Sequence, residues 1–163
     1  MGDTVSSILR HKGHGVWSVS PDESVLQAIS LMADKNIGAL VVIAGERLVG
    51  IMSERDYARK VVLQGKSSEN TPVRDIMTSP VVSVSVNDTV DECMRIITAR
   101  RIRHLPVVQG ETVVGIISIG DLVRRVISTQ EEIIQYLQEY IVGCSVIPEN
   151  GPQIGSSAGR RPD

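Results

Sequence analysis

An internal repeat is the sequence feature that most constrains how this chain of 163 residues can fold. Residues 17–62 align without a gap on residues 82–127, and roughly a third of the aligned positions are identical. A duplication of this length indicates that the repeat is the structural unit, because each copy must bury its apolar residues in the same way.

Each copy predicts the same order of secondary-structure elements. A short alternating segment (17–20 and 82–85) precedes an acidic turn and a helix whose apolar residues recur at i, i+3, i+4 and i+7. Two β-branched runs follow, joined through a Gly-Glu pair that is typical of a hairpin. A second helix comes next, at about residues 54–64 and 119–128, so that each copy is predicted to be β-α-β-β-α.

A unit of this kind presents an apolar sheet face that needs a cover, and the other copy can provide it. We therefore predict an α/β (α+β) fold in which two β-α-β-β-α repeats pack with pseudo-twofold symmetry, with one cleft on each side and short N-terminal and C-terminal helices. The expected boundaries are an N-terminal segment at 1–15, the first repeat at 16–65, a polar linker at 66–79, the second repeat at 80–128, a C-terminal helix at 129–143 and a disordered tail at 144–163. The N-terminal segment carries His11 and His14, and we expect it to be mobile.

Composition and motifs exclude several functional classes. The net charge of −2 gives no basic surface for nucleic acid or an anionic membrane, and no apolar run is long enough for a membrane span. Cys93 and Cys144 fit no disulfide or zinc pattern, and no catalytic or metal-binding set of residues is visible. We therefore expect a cytoplasmic protein that is not an enzyme, has no catalytic cofactor and binds neither nucleic acid nor membrane.

The motif GxxSxxD follows the hairpin in both copies and contains Ser53 with Asp56 and Ser118 with Asp121. One interpretation is a capping box at the start of the second helix, which stabilises the fold by about 1 kcal/mol per cap. The other is a ligand site, because a helix N-terminus attracts phosphate and a nearby carboxylate can accept hydrogen bonds from ribose hydroxyls. Spacing alone favours the cap, and the two interpretations are compatible.

A basic pair distinguishes the second copy from the first. Arg103 and His104 lie at the mouth of a strand where the first copy has Gly38 and Ala39. The pair could extend into solvent, as surface basic residues commonly do. If the copies pack about a pseudo-twofold axis, the pair could instead face one cleft together with Arg55 and hold phosphate oxygens.

Taken together, the β-α-β-β-α duplication, the repeated GxxSxxD motif and the sequence RHLPVV resemble a tandem pair of CBS (cystathionine-β-synthase-type) domains, called a Bateman module. The resemblance covers about residues 4–143, and SERDYARKV is similar to small stand-alone CBS-pair proteins. It implies a homodimeric regulatory module that binds AMP, ATP or NAD(H) between its repeats, senses energy or redox state and modulates a separate partner protein. The alternative is a ligand-independent dimerisation scaffold in which the SxxD pairs are only caps.

The resemblance also implies a role for individual residues. Asp121 and Asp56 would accept the ribose hydroxyls, and Ser118 and Ser53 would support ribose or phosphate. The backbone of Val81 and Val82, after Thr78, would read the adenine edge, and Val16 and Trp17 would do so in the other site. Ile102 and Pro106 would pack on the base. The phosphate would be held by Arg103, His104 and Arg55, and Gly120 would leave room beside the ribose.

The first copy departs from the family pattern, since it lacks both the basic pair and the proline, which Val41 replaces. We therefore expect the Asp121 site, combined with the basic pair and Arg55, to be the better phosphate site. The Asp56 site is expected to be weaker, empty or suited to a less charged ligand.

Overall fold

The computed structural model describes residues 2–144, and the chain divides into two compact units at residue 126. The larger unit holds both repeats, and the smaller unit begins at Ile127, within the last helix. The predicted disordered tail lies outside the described residues, apart from the backbone of Cys144, where that helix ends.

Each repeat has the predicted element order, preceded by a short N-terminal helix. The elements are α1 (Val5–Lys12), β1 (Ser18–Val19), α2 (Val25–Lys35), β2 (Ala39–Ala44), β3 (Arg47–Ser53) and α3 (Glu54–Tyr57), followed by β4 (Val84–Ser85), α4 (Val90–Arg100), β5 (His104–Gln109), β6 (Thr112–Ser118) and α5 (Ile119–Cys144). This order confirms the predicted α/β class with duplicated β-α-β-β-α units.

Within the described residues the strands form two three-stranded sheets of identical topology, β1-β2-β3 and β4-β5-β6. In each sheet the first pair of strands is parallel and the second pair is an antiparallel hairpin. The hairpin turns place Gly45 and Gly110 at φ 63° and 64°, a left-handed conformation that glycine adopts without steric cost. The Gly-Glu pairs in the sequence therefore correctly predicted both turns.

Local capping explains where the longer helices of the repeats begin and end. Ser24 with Gln27, and Thr89 with Glu92, form capping boxes at the starts of α2 and α4. At the other end Asn36 and Arg101 take left-handed conformations, with φ 52° and 53°. The chain turns sharply at these residues and enters β2 and β5.

The segments that precede the repeats pack on the opposite repeat. The Val5 amide at the start of α1 donates to the Asp88 carbonyl of the second repeat, and the Val73 amide of the linker donates to the Glu23 carbonyl of the first, each at 2.9 Å. Val5, Ile8 and Leu9 belong to the second repeat's core, and Val73 and Ile76 belong to the first repeat's core.

The expectation of a mobile N-terminal segment is therefore wrong for residues 5–12. Val5 and Leu9 are 0% and 1% exposed, because α1 covers apolar surface of the second repeat that would otherwise face water.

The second helix differs between the copies and from its prediction in each. In the first copy the single α-helical turn of α3 continues as a π-helical stretch, Ala58–Val62, instead of a regular helix to residue 64. In the second copy α5 runs without a break through the boundary expected at residue 128. No glycine or proline occurs between residues 121 and 142, so no sequence signal ends the helix there.

Candidate functional site

The two GxxSxxD motifs adopt the same capping geometry. The Ser53 amide and hydroxyl donate to Asp56 Oδ2 at 2.9 and 3.0 Å, and the Asp56 amide donates back to Ser53 Oγ at 3.3 Å. The corresponding distances for Ser118 and Asp121 are 2.8, 3.0 and 3.3 Å. The capping interpretation holds in both copies, and Oδ1 of each carboxylate is left for other partners.

A cleft that we call the Asp56 cleft lies where α3 of the first repeat meets the second repeat. Its volume is about 210 Å³, and its wall combines residues 53–56 and 101–104 with Thr78, Pro80 and Val82. The Thr78 hydroxyl donates to Asp56 Oδ1 at 3.3 Å, so the linker reaches the motif of the first copy.

Basic side chains from both repeats surround the Asp56 cleft. Arg55 comes from the first repeat, and Arg101 and Arg103 come from the second. Arg55 Nη1 donates to the Arg101 carbonyl at 3.3 Å, which holds this guanidinium across the boundary between the repeats. Lys60, one turn after Asp56, forms an ion pair with Oδ1 at 2.9 Å. A carboxylate beside several guanidinium groups can bind a ligand that carries both hydroxyls and phosphate.

A second cleft, the Asp121 cleft, has a volume of about 480 Å³ and contains Trp17, Ser118 and the motif carboxylate. Asp121 is nearly buried, and its oxygens pair with Lys12 Nζ at 2.6 Å and Arg124 Nη2 at 2.7 Å. Burial by itself would raise the pKa of Asp121, but the Lys12 ammonium, the Ser118 amide and Arg124 outweigh burial and hold this pKa below its usual value.

His104 lines both clefts, and its ring lies beside Gly38 of the first repeat. Burial lowers the pKa of His104, the charges of Lys12 and Arg103 lower it further, and the Asp121 carboxylate only partly opposes them. The predicted basic pair is therefore corrected: the lowered pKa disfavours the imidazolium form of His104, so its imidazole serves as a hydrogen-bonding group beside the Arg103 guanidinium.

The predicted grouping of residues is also wrong. Arg55, Thr78, Val82 and Arg103 line the Asp56 cleft and do not line the Asp121 cleft. The cause is that the linker precedes the second repeat but packs on the first. The Thr78 amide donates to the Ile51 carbonyl at 2.8 Å, and the Ile51 amide donates to the Thr78 carbonyl at 3.1 Å. The linker is thereby attached to β3 of the first repeat, next to the motif that β3 leads into.

The remaining predicted site residues are distributed unevenly. Ile102 lines the Asp56 cleft, and Trp17 lines the Asp121 cleft. Pro106 is opposite Ile116 in the second hairpin, and the lining of the two clefts does not include Pro106, Val81, Val16 or Gly120.

Sequence reasoning missed Lys12 and Arg101. Arg101 stands two residues before Arg103 in the sequence, which could have suggested it, whereas no local signal connects Lys12 with Asp121, 109 residues away.

Other chemistry has little support in the described part of the chain. Among residues 2–144, no group of three or more His, Cys, Asp or Glu side chains is placed to hold a metal ion. Over the same range, none of the helices has the length and apolarity needed to cross a membrane. Cys93 is buried in the second core, and burial raises the pKa of its thiol to about 11, which keeps it protonated and unreactive.

Comparison with known proteins gives consistent matches to one family. The family model described as "CBS domain" matches residues 5–63 and 73–128. A mitochondrial CBS domain-containing protein of Arabidopsis thaliana is 41% identical over 149 residues, which cover 86% of this chain and 72% of the relative. A solved structure with CBS domains from Burkholderia ambifaria is 49% identical, with a TM-score of 0.75, and the match covers 78% of this chain and 96% of that chain. Another solved CBS domain structure is 47% identical, also with a TM-score of 0.75, and the match covers 78% and 99% of the two chains.

Proposed function

This chain belongs to the CBS-domain family as a CBS-pair regulatory module, and we propose that it binds an adenine nucleotide (AMP, ATP or NAD(H)) in the Asp56 cleft. The observation that carries the proposal is the composition of that cleft, which combines the motif carboxylate with arginines from both repeats. The proposal includes a cytoplasmic location and binding without catalysis.

Each part of a nucleotide has a matching group in the Asp56 cleft. Asp56 accepts the ribose hydroxyls at Oδ1, where they replace the weak Thr78 contact while Lys60 stays paired with the carboxylate. Val82 and Ile102 provide apolar surface for the base. Arg55 and Arg103 hold the phosphate, and charge-assisted hydrogen bonds of this kind contribute about 1.5 to 3 kcal/mol each.

Binding in this cleft would couple the two repeats. Asp56 and Arg55 belong to the first repeat, whereas Ile102 and Arg103 belong to the second, so a bound nucleotide contacts both at once. A ligand can shift the packing of the two repeats only by the difference in its affinity for two alternative arrangements of the repeats. Ligand contacts on both sides of the boundary provide such a difference, and a separate partner protein would respond to the resulting arrangement.

Calorimetry with AMP, ATP and NAD(H) tests the proposal. We expect Asp56→Asn and Arg103→Met each to weaken AMP binding about tenfold or more, which corresponds to a loss of about 1.4 kcal/mol or more. Asp34→Asn, an exposed substitution on α2, is the matched control and should bind AMP like the wild type. Thermal melting confirms that each variant is folded. A wild-type protein that binds none of these nucleotides at millimolar concentration would leave the scaffold alternative in place.

Self-association through the C-terminal part of α5 is the second half of the proposal. Residues 127–143 expose Ile133, Ile134, Leu137 and Tyr140, each more than half exposed, and these residues share one face at helical spacing. The opposite face carries the acidic residues, and the sequence has no Lys or Arg between 126 and 144. A helix that lies on an anionic membrane would need a basic polar face, whereas a second copy can meet this uncharged face without like-charge repulsion. We therefore propose a homodimer that pairs through this face.

A further inference from the structure

The two segments that precede the repeats are structural equivalents. Leu9 of α1 packs against Gly115 of β6, where a Cβ would lie 2.6 Å from Leu9 Cδ2. Met77 of the linker packs against Gly50 of β3, where a Cβ would lie 2.5 Å from Met77 Sδ. Because Gly50 and Gly115 are aligned in the two repeats, Leu9 and Met77 are equivalent positions.

The two segments differ in length after these positions. Between Leu9 and Trp17 the chain has three more residues than between Met77 and the aligned Val82. This additional length allows α1 to continue to Lys12, whereas the linker passes directly to Thr78. As a result, Thr78 lies at Asp56 and Lys12 lies at Asp121.

The two carboxylates consequently have different partners. Asp56 accepts three hydrogen bonds and forms one ion pair, with Lys60, whereas Asp121 accepts four hydrogen bonds, which is about the full capacity of a carboxylate. At Asp56 the donor from the preceding segment is the neutral Thr78 hydroxyl at 3.3 Å, a distance at which the bond is weak. At Asp121 it is the Lys12 ammonium at 2.6 Å. A ribose hydroxyl can replace the first donor easily but would have to displace a charged group to reach Asp121.

Lys12 is held in place by its surroundings. Its ammonium also donates to the Ile116 carbonyl at 2.8 Å, and the Gly13 amide caps α1 by donating to the Leu9 carbonyl at 2.8 Å. His14 Nδ1 lies 3.3 Å from the Val114 carbonyl, so the chain beyond Lys12 also follows β6. With Val5 and Leu9 buried on the other side, α1 cannot withdraw Lys12 without exposing apolar surface.

We propose that Lys12 determines the specificity of the Asp121 cleft, because its ammonium pairs with Oδ2 of the carboxylate that a nucleotide ribose would need, while Arg124 pairs with Oδ1. The wild-type chain then binds one adenine nucleotide, in the Asp56 cleft, and removal of Lys12 opens a second site at Asp121. This inference rests on the proposed nucleotide binding for its choice of ligand, but a variant in which the Asp56 site is disabled can test it independently.

Calorimetric titration with AMP tests the proposed binding at Asp56 separately from the proposed role of Lys12 at Asp121. We expect one site in the wild type, two in Lys12→Met and one in Arg10→Met, which removes an exposed basic residue from the same helix. Asp56→Asn should weaken AMP binding about tenfold or more, and the double variant Lys12→Met with Asp56→Asn should show one additional site that Asp56→Asn alone lacks. Addition of Asp121→Asn to that double variant should abolish the additional site, which assigns it to Asp121.

Each contrary result has a separate meaning. Two sites in the wild type, or a single site in both the wild type and Lys12→Met, overturn the inference and leave the proposed function standing. No binding by the wild type together with one site in Lys12→Met contradicts the proposed function and supports the inference. No AMP binding by any of the variants overturns both. Thermal melting and circular dichroism of each variant show whether a loss of binding comes from a loss of folding.

Discussion

At the scale of single residues, the packing of the two repeats changes the environment of His104. It lines both clefts, and the charged groups that face it are Lys12, Arg103 and Asp121. Burial and the two cations lower its pKa, so the folded state takes up a proton less readily than the unfolded chain.

This difference predicts how stability depends on pH. As the pH falls below the ordinary histidine pKa of about 6.5, the unfolded chain gains a proton at His104 before the folded state does, and the folded state loses stability. His104→Gln should lose less stability between about pH 7.5 and about pH 5.5 than the wild type. Urea unfolding at both pH values measures the difference, and His11→Gln on exposed α1 surface is the control. Equal losses in the wild type and His104→Gln would contradict the role assigned to burial.

At the scale of elements, the positions of α1 and the linker depend on two strand glycines. The close approach of Leu9 to Gly115, and of Met77 to Gly50, leaves no space for a methyl group in either strand. The absence of a side chain at these positions therefore decides how closely α1 and the linker pack on their sheets.

Gly115→Ala tests this dependence. The added methyl group would displace Leu9 and cost about 1 to 3 kcal/mol of stability, as overpacking commonly does. It should also loosen α1 and weaken the contact between Lys12 and Asp121. Hydrogen exchange should become faster at residues 5–12 in Gly115→Ala and at residues 73–78 in Gly50→Ala, so each variant serves as the control for the other. Unchanged exchange in α1 of Gly115→Ala would show that α1 does not depend on the glycine.

At the scale of the whole molecule, the smaller unit supplies a surface that the repeats do not explain. The face of residues 127–143 that carries Ile134 and Leu137 is exposed within the chain. Burial of large aliphatic side chains stabilises an association by about 1.5 to 3 kcal/mol each before the cost of association is subtracted.

Charge substitutions on this face test the proposed homodimer. Ile134→Glu with Leu137→Glu should convert the dimer into a monomer, because each buried carboxylate would lack a partner. Gln138→Glu with Gln135→Glu adds the same charge on the polar side of the helix and should leave the dimer intact. Light scattering during gel filtration and sedimentation velocity measure the mass. A monomeric wild type, or a dimer that survives Ile134→Glu with Leu137→Glu, would contradict the proposal.

The sequence by itself determined the features that depend on neighbouring residues. The duplication and apolar periodicity predicted the order of elements, the Gly-Glu pairs predicted the hairpin turns at Gly45 and Gly110, and the SxxD spacing predicted the caps at Ser53 and Ser118. These features follow from backbone conformation and hydrogen bonds within a few residues, which a single sequence expresses directly.

Only the tertiary structure decided which residues share a cleft. The packing of α1 and the linker on the opposite repeats places Thr78 at Asp56, although the sequence suggested the Asp121 site, and places Lys12 at Asp121, which the sequence did not suggest. In two repeats with similar local patterns, each preceding segment could pack on its own repeat or on the opposite one. The packing of Leu9 and Met77 on the opposite sheets selects the second arrangement. That choice depends on packing between residues far apart in the chain, which local sequence patterns do not encode.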